Sequence, residues 1–189
     1  MVGTKSTSLF ANIAHLFSGQ VVTVFSRLFY ILVIARFLGP ELYGLLVYSQ
    51  AWYLLFLPGV HLGLGSILSR EVGKSASQGK LIASEVFTVR IIALSLLTTA
   101  CGAIGIYSND DAMTKVLILL MCFALIGRSI SIHCLHVFTA FEQSRYSARL
   151  DVGFRTSEVI VAIIVVLLFK SVYLVAITHA CFWILQAGT

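Results

Sequence analysis

The segment from Ala35 to Gly44 constrains the fold most strongly, because it separates two of the longest apolar tracts of the chain. Proline has no N–H and restricts the residue before it, so the first helix is expected to stop at Gly39, just ahead of Pro40. Glu41 follows, where an acidic side chain favours the start of a new helix. Almost no linker remains between the two helices. The segment therefore predicts a tight helical hairpin in which the second helix runs back alongside the first.

Apolar segments recur along the rest of the chain. Hydrophobic residues make up 59% of it and charged residues 11%, and the mean hydropathy of +0.97 is far from that of a soluble domain. A helix needs about 20 apolar residues to cross about 30 Å of hydrocarbon. The predicted fold class is therefore all-α, a polytopic membrane helix bundle with about six transmembrane helices. We place these spans at Leu9–Phe37, Leu42–Leu68, Val86–Tyr107, Val116–Phe141, Val152–Phe169 and Val172–Leu185.

Basic residues are distributed unequally between the two sets of short loops. Cytoplasmic loops of membrane proteins carry an excess of lysine and arginine. One side holds seven, namely Lys5, Arg70, Lys74, Lys80, Arg145, Arg149 and Arg155, and the other holds three, Arg36, Lys115 and Lys170. The asymmetry predicts a cytoplasmic N-terminus. It also explains the net charge of +5 without a nucleic-acid partner.

The polar residues of the first span are not scattered. At 100° per residue they fall on one helical face. A charged side chain at the bilayer centre costs at least about 2.5–3.5 kcal/mol, so this face is expected to line a cavity inside the protein. Alternatively, Arg27, the charged residue of this face, is held by a structural partner or reaches the membrane surface. The face consists of Asn12, His15, Gly19, Gln20, Thr23, Ser26, Arg27 and Tyr30.

Pro58 lies near the middle of the second span, where a proline is expected to bend the helix. Gly63 and Gly65 follow and permit either close helix packing, which is favoured, or a second flexible point. His61 is the only ionisable residue inside this span. It is the candidate for ion coupling, although a neutral, hydrogen-bonded histidine is the commoner case.

Charged residues also occur in the third and fourth spans. Glu85 and Arg90 sit near the predicted cytoplasmic end of the third span, and both are expected to reach the membrane surface. Arg128 lies deep in the fourth span, from where the surface is hard to reach. It either continues a basic cavity lining or bonds to a neighbouring helix.

The fifth span begins with three charged residues at helical spacing. Asp151, Arg155 and Glu158 are placed for i,i+4 and i,i+3 pairing, which predicts a structural ion-pair group.

The histidines do not predict a metal site. His133 and His136 have no matching pair of ligands on another span, and His179 alone does not complete a set. No metal or other cofactor is expected. Glycine-rich phosphate loops and nucleophile elbows are absent from the sequence, so it does not indicate an enzyme.

Several runs resemble the N-terminal signature of bacterial polysaccharide flippases, the O-antigen and exopolysaccharide-repeat transporters of the multidrug/oligosaccharidyl-lipid/polysaccharide exporter superfamily. The runs are Ser26-Arg27 through Ala35-Arg36-Phe37-Leu38-Gly39-Pro40-Glu41-Leu42-Tyr43-Gly44, then Leu62-Gly63-Leu64 with Arg70, and Ala140-Phe141-Glu142-Gln143 through Arg149. The first two are the specific ones.

The resemblance implies two six-helix lobes around a central cavity, with residues 1–189 as a single transmembrane lobe, the N-terminal half of a longer transporter. It also implies that basic residues hold the pyrophosphate of a polyprenyl-linked sugar, and Arg27 matches that role best, followed by Arg70. Where relatives commonly carry an acidic residue before the Leu-Gly-Leu run, this chain has His61. The candidate substrate-binding residues are Arg27, Arg70, Arg128, Gln20, Thr23 and Tyr30.

The expected function is translocation of lipid-linked oligosaccharide across the bacterial inner membrane by alternating access, in polysaccharide biosynthesis such as that of the lipopolysaccharide O-antigen or an exopolysaccharide. The expected partners are the polyprenyl-pyrophosphate-linked oligosaccharide, membrane lipid, and a missing C-terminal lobe or another copy of the chain, with the polysaccharide polymerisation machinery as a further partner. Two alternatives are a multidrug exporter of the same superfamily, which the basic stripe disfavours, and a non-transporting membrane interaction subunit.

Overall fold

The computed structural model describes residues 3–74, 76–141 and 144–189, with side chains for 21, 24–72, 79, 81–141, 146 and 149–189. All regular structure in these ranges is α-helical, which confirms the predicted fold class. The helices are α1 (Gly3–His61), α2 (Leu64–Lys74), α3 (Ala76–Ser108), α4 (Ala112–Ala140), α5 (Ser144–Phe169) and α6 (Val172–Ala187).

Helix α1 is a hairpin of two arms, as predicted. Gly39 has φ 81° and ψ 167°, a conformation outside the helical region that glycine adopts without penalty. The side chains of Tyr30 and Gln50 are hydrogen-bonded to each other. Twenty residues of straight helix would hold them about 30 Å apart, so the second arm must fold back onto the first at Gly39 and Pro40.

The predicted second span, Leu42–Leu68, is not a single helix in the structure. Helical geometry passes through Pro58 to His61, and the break falls at Leu62 and Gly63, both with positive φ (48° and 68°). Gly63 is therefore a turn, which is the less favoured of the two predicted roles.

Gly65, in contrast, is a packing glycine. A Cβ added there would lie 2.5 Å from the His136 ring, so the backbone of α2 packs directly against this side chain of α4. The favoured prediction of close packing is confirmed for this residue.

The remaining helices are joined by very short connections, which makes sequence neighbours run antiparallel. Asp111 caps the N-terminus of α4, accepting hydrogen bonds from Thr114 N at 2.8 Å and Thr114 Oγ1 at 2.7 Å. Lys170 has φ 47° and, with Ser171, turns the chain from α5 into α6.

The core lies where the second arm of α1 meets α4 and α6. Tyr53, Leu46, Met121 and Val175 are among its fully buried side chains. At Gly127 the backbone of α6 approaches α4 so closely that a Cβ would lie 2.5 Å from the Trp183 carbonyl carbon. Several of the polar residues described below lie on α4 and α6, close to this contact.

The outer surface of the bundle is apolar, the reverse of a soluble protein. Leu32, Leu55 and Leu168 are each about 70% exposed, whereas Arg90 and Glu158 are buried. Within the described residues, four helical stretches are long and apolar enough to cross a membrane: Val24–Val72, Leu81–Ser108, Ala112–Ala140 and Arg149–Phe169. The apolar helix Val172–Ala187 is shorter. This arrangement is that of a membrane helix bundle, while the count of six spans stays a prediction.

Candidate functional site

A chain of hydrogen bonds connects four helices through the interior of the bundle. Arg128 of α4 donates from Nη1 to the Tyr53 hydroxyl of α1 at 3.0 Å. That hydroxyl lies 3.2 Å from Nε2 of His179 on α6. Nδ1 of His179 is in turn 2.5 Å from Oε1 of Glu158 on α5. We call these four residues the relay.

The relay is anchored by the ion-pair group predicted at the start of α5. Arg155 Nη1 donates to Oε2 of Glu158 at 2.6 Å, and Arg155 Nε is 3.8 Å from Asp151 Oδ1. These contacts confirm the predicted pairing. The structure adds Gln186 of α6, which accepts from Arg155 at 2.5 Å and donates to Asp151 at 3.0 Å. Glu158 is only 7% exposed, so its charge depends on these partners.

The proton positions in the relay follow from its donors and acceptors. An arginine can only donate, so the Tyr53 oxygen accepts from Arg128 and directs its own hydrogen toward His179. Nε2 of His179 is then the acceptor, and Nδ1 carries the hydrogen that is donated to Glu158. With a neutral His179, each of the three hydrogen bonds of the relay has one donor and one acceptor, and two carboxylates balance two guanidinium groups.

Trp183 of α6 packs against both of these arginines. Cζ of Arg155 lies 3.4 Å from the ring centroid and Cζ of Arg128 lies 4.8 Å from it. A guanidinium over an indole is attracted by the negative face of the ring. The indole therefore helps to hold two like charges in a half-buried place.

A cavity of about 220 Å³ adjoins the relay between α4, α5 and α6. Arg128 and Trp183 line it, and each keeps a buried N–H, Nε and Nε1, for which the described residues offer no acceptor. Arg128 therefore combines both predicted roles, because it bonds to a neighbouring helix and also faces a cavity. The other lining residues are Ser131, Ile132, Cys134, Leu135, Phe138, Leu150, Asp151, Gln186 and Thr189.

A second buried cluster joins α3 to α4 and corrects the prediction for Arg90. Instead of reaching the membrane surface, Arg90 is 2% exposed and donates to Nδ1 of His133 at 3.0 Å and Nδ1 of His136 at 3.2 Å. Two imidazole acceptors one helical turn apart are more favourable for the guanidinium than an extended path to the surface. Glu85 is exposed, and its position at the membrane surface stays a prediction.

His61 borders this second cluster. Its ring lies edge-on to that of His136, with 6.2 Å between the centroids. Neither ring nitrogen has a hydrogen-bond partner among the described residues. A hydrogen-bonded histidine is the commoner case, but within the described part of the chain His61 is not hydrogen-bonded.

The structure does not bring the predicted substrate-binding residues into one group. Arg27 is exposed on the first arm of α1, and Tyr30, one turn further, is half-buried against Gln50. Arg70 is exposed on α2, with its Nε 3.5 Å from a carboxylate oxygen of Glu71. Only Arg128 lies at the relay and the cavity. The side chains of the remaining two, Gln20 and Thr23, lie outside the described residues.

Sequence reasoning missed most of the relay, although a signal was present. His179, Trp183 and Gln186 recur at i, i+4 and i+7 and share one face of α6. Asp151, Arg155 and Glu158 have the same spacing on α5. Two facing polar stripes on adjacent apolar helices predict a polar contact between them, and here it is the relay with its ion-pair group.

The fold and this interior define an all-α integral membrane protein with a charged, hydrogen-bonded core. Residues 9–186 match the model of a family described as Polysaccharide biosynthesis protein. The chain therefore belongs to that family, and its role lies in polysaccharide biosynthesis. No curated protein and no solved structure matches the chain.

Proposed function

We propose that the chain is one lobe, the N-terminal half, of a transporter that moves lipid-linked oligosaccharide across the cytoplasmic membrane of a bacterium by alternating access. Three findings support the proposal: the family, the membrane helix bundle and the polar interior. The observation that carries it is Arg27, an exposed arginine on the polar face of the first arm of α1. A guanidinium facing lipid is unfavourable, so this face requires a polar cavity or a second lobe opposite it.

The substrate class follows from the charge of the exposed groups. A polyprenyl-pyrophosphate carries negative charge next to its glycan, and the planar fork of arginine binds phosphate oxygens with paired hydrogen bonds. We assign this role to Arg27, with Arg70 and Arg128 as further basic contacts. Gln20, Thr23 and Tyr30 would bind the glycan with uncharged polar groups. The lipid tail would stay in the bilayer.

The orientation proposed for this lobe places the N-terminus in the cytoplasm of the bacterial cell. The support is the excess of basic residues in one set of loops. The short α3–α4 connection at Asn109 to Asp111 would then face outward. A C-terminal lobe, or another copy of the chain, would cover the face that carries Arg27, and the polysaccharide polymerisation machinery would receive the product.

His61 is the proposed ion-coupling residue of the second arm of α1. Its support is the position, half-buried at the helix break and without a hydrogen-bond partner in the described part of the chain. Because no hydrogen bond in the described part of the chain fixes the tautomer of this imidazole, either ring nitrogen could take up the proton. The proposal is for a transporter and not an enzyme.

Two other functions would use the same fold. A multidrug exporter of the same superfamily would need an acidic cavity for cationic drugs, whereas the cavity here is lined by Arg128 as well as by Asp151, whose carboxylate is paired with Arg155. A non-transporting membrane interaction subunit would leave the charge of Arg27 without a ligand.

The proposal is tested by polysaccharide export in cells that depend on the transporter. Arg27→Ala should abolish export at unchanged protein level, and Arg27→Lys should retain part of it, because lysine keeps the charge but loses the paired donors. Arg36→Ala is the matched control, since Arg36 is also exposed but sits next to the hairpin turn. Normal export by a well-inserted Arg27→Ala protein would remove Arg27 from the binding site.

A further inference from the structure

We propose that Glu158 and His179 form a proton-binding site that controls, through Tyr53, whether Arg128 is free to bind an anion in the adjoining cavity. The proposal rests on the proposed function in one respect only, namely that Arg128 contacts the anionic part of the substrate. The proton site itself follows from the hydrogen bonds of the relay and is tested separately.

Within the pair of Glu158 and His179, the hydrogen bonds leave two places for an added proton. Oε2 of Glu158 faces the Arg155 donor at 2.6 Å and cannot carry a hydrogen toward it. The proton must therefore be shared between Oε1 of Glu158 and Nδ1 of His179, 2.5 Å apart, or reside on Nε2. In the first case Oε1 of Glu158 carries a hydrogen and donates it to Nδ1, and the imidazole carries its own hydrogen on Nε2 instead of Nδ1. In both cases Nε2 of His179 changes from an acceptor into a donor.

This change is transmitted to Tyr53. Its hydroxyl oxygen already accepts from Arg128 at 3.0 Å, and it donates its own hydrogen to Nε2. Once Nε2 carries a hydrogen, it competes with Arg128 for the lone pairs of the Tyr53 oxygen, and the tyrosine hydrogen loses Nε2 as its acceptor. Arg128 is the member that can leave, because it also faces the cavity. Protonation of the pair thus releases Arg128, and deprotonation recaptures it.

The charges around the pair make the proton significant. Arg155 and Asp151 face it from α5, Arg128 from α4, and Tyr30 and Tyr53 from α1. The two carboxylates and two guanidinium groups balance, so one further proton gives this buried group a net positive charge. An anion in the cavity would compensate that charge. By linkage, a bound anion must raise the proton affinity of the pair by the same factor by which the proton raises the affinity for the anion.

Trp183 provides a direct readout of the proton site. Its ring lies edge-on to His179 with 6.3 Å between centroids, and an imidazolium quenches indole fluorescence more than a neutral imidazole does. In the Trp52→Phe background Trp183 is the remaining tryptophan. The purified chain in lipid nanodiscs should show one reversible fluorescence transition between about pH 5 and 9. His179→Gln should abolish it, whereas His61→Gln should leave it in place.

Glu158→Gln separates charge from hydrogen bonding, because the amide oxygen can still accept from Nδ1 but carries no charge. Its fluorescence midpoint should move to lower pH by about one unit or more, since an opposite charge within about 4–6 Å stabilises an imidazolium by that much. A flat fluorescence profile in the unmodified relay, or a transition that survives His179→Gln, would overturn the proton site.

The link to Arg128 is tested with sulfate, whose charge is constant over this pH range. Sulfate should bind at least about fivefold more tightly below the fluorescence midpoint than above it. Tyr53→Phe keeps the ring but removes the hydroxyl, so the ratio of affinities should fall to about one while the fluorescence transition persists. Equal affinity at both pH values, no sulfate binding at either, or an unchanged ratio in Tyr53→Phe would refute the link.

These outcomes do not depend on glycan transport. If the fluorescence transition and sulfate linkage are found but Arg128→Ala exports polysaccharide normally, the relay stands and the substrate role of Arg128 fails. If the linkage is absent but Arg27→Ala abolishes export, the proposed function stands without the relay.

Discussion

Gly127→Ala should destabilise the bundle strongly, because the added methyl group meets backbone and not a side chain. The new Cβ would lie 2.5 Å from C of Trp183, 2.6 Å from N of Ile184 and 2.7 Å from O of Trp183. Carbon atoms in contact prefer about 3.5–4.0 Å, so α6 would have to retreat from α4 by about 1 Å. Backbone atoms cannot rotate away as a flexible side chain can.

The retreat would loosen the contacts that hold α6 at this point. These include the Ser131 Oγ to Trp183 O approach of 3.4 Å and the packing of Arg128 on the indole. Overpacking of this kind costs about 1–3 kcal/mol. We therefore expect the free energy of unfolding to fall by about that amount.

Reversible unfolding in mixed detergent and SDS micelles, followed by circular dichroism, measures this difference. Gly153→Ala is the matched control, since a Cβ at Gly153 meets nothing within 4 Å and alanine favours a helix over glycine by up to about 1 kcal/mol. Equal stability of the two variants would refute the close α4–α6 approach and, with it, the position assigned to Trp183.

Three further predictions concern other parts of the fold. Arg90→Ala should lower the free energy of unfolding by about 1–3 kcal/mol, because two histidine acceptors lose a charged donor. Arg36→Ala, at an exposed position, should change it by less than about 0.5 kcal/mol in the same SDS titration. Equal losses in the two variants would contradict the burial of Arg90. Hydrogen bonds from the side chain and the backbone of Thr114 hold the pKa of Asp111 below its ordinary value of 3.8. The stabilisation of α4 by this cap is therefore complete above pH 3.8 and is lost as the pH falls through the lowered pKa. Amide hydrogen exchange in the first turn of α4 should speed up in that low-pH range, and Asp111→Asn should remove this pH dependence. Asp110→Cys, in a chain whose native cysteines are replaced by serine, should react with an impermeant maleimide in intact cells, and Ser77→Cys should react only after permeabilisation; the reverse pattern would invert the proposed orientation.

Features that depend on nearby residues were predictable from the sequence. The hairpin at Gly39 and Pro40 follows from the backbone restrictions of two adjacent residues, and the structure confirms it through the Tyr30 and Gln50 contact. The ion pairs of Arg155 with Asp151 and Glu158 follow from one helical turn of spacing.

Features that depend on distant partners were not predictable in the same way. Arg90 was predicted to reach the membrane surface because it sits near the predicted cytoplasmic end of its span. Its acceptors, His133 and His136, are 43 and 46 residues away, and only the packing of α3 on α4 brings them together. The break at Leu62 and Gly63 was not singled out, because Pro58 carried the stronger local signal for a bend.

The sequence by itself determined the class of the protein, because an apolar surface, helical periodicity and short polar turns leave a chain in a membrane no other way to satisfy its backbone. It also determined which side chains would be costly to bury. Only the tertiary structure decided how that cost is met. Tyr53 and His179 are 126 residues apart, and each is an ordinary polar residue in its own helix. They become parts of one hydrogen-bonded relay because α1, α4, α5 and α6 converge at a single buried point, and convergence is a property of packing that no local pattern encodes.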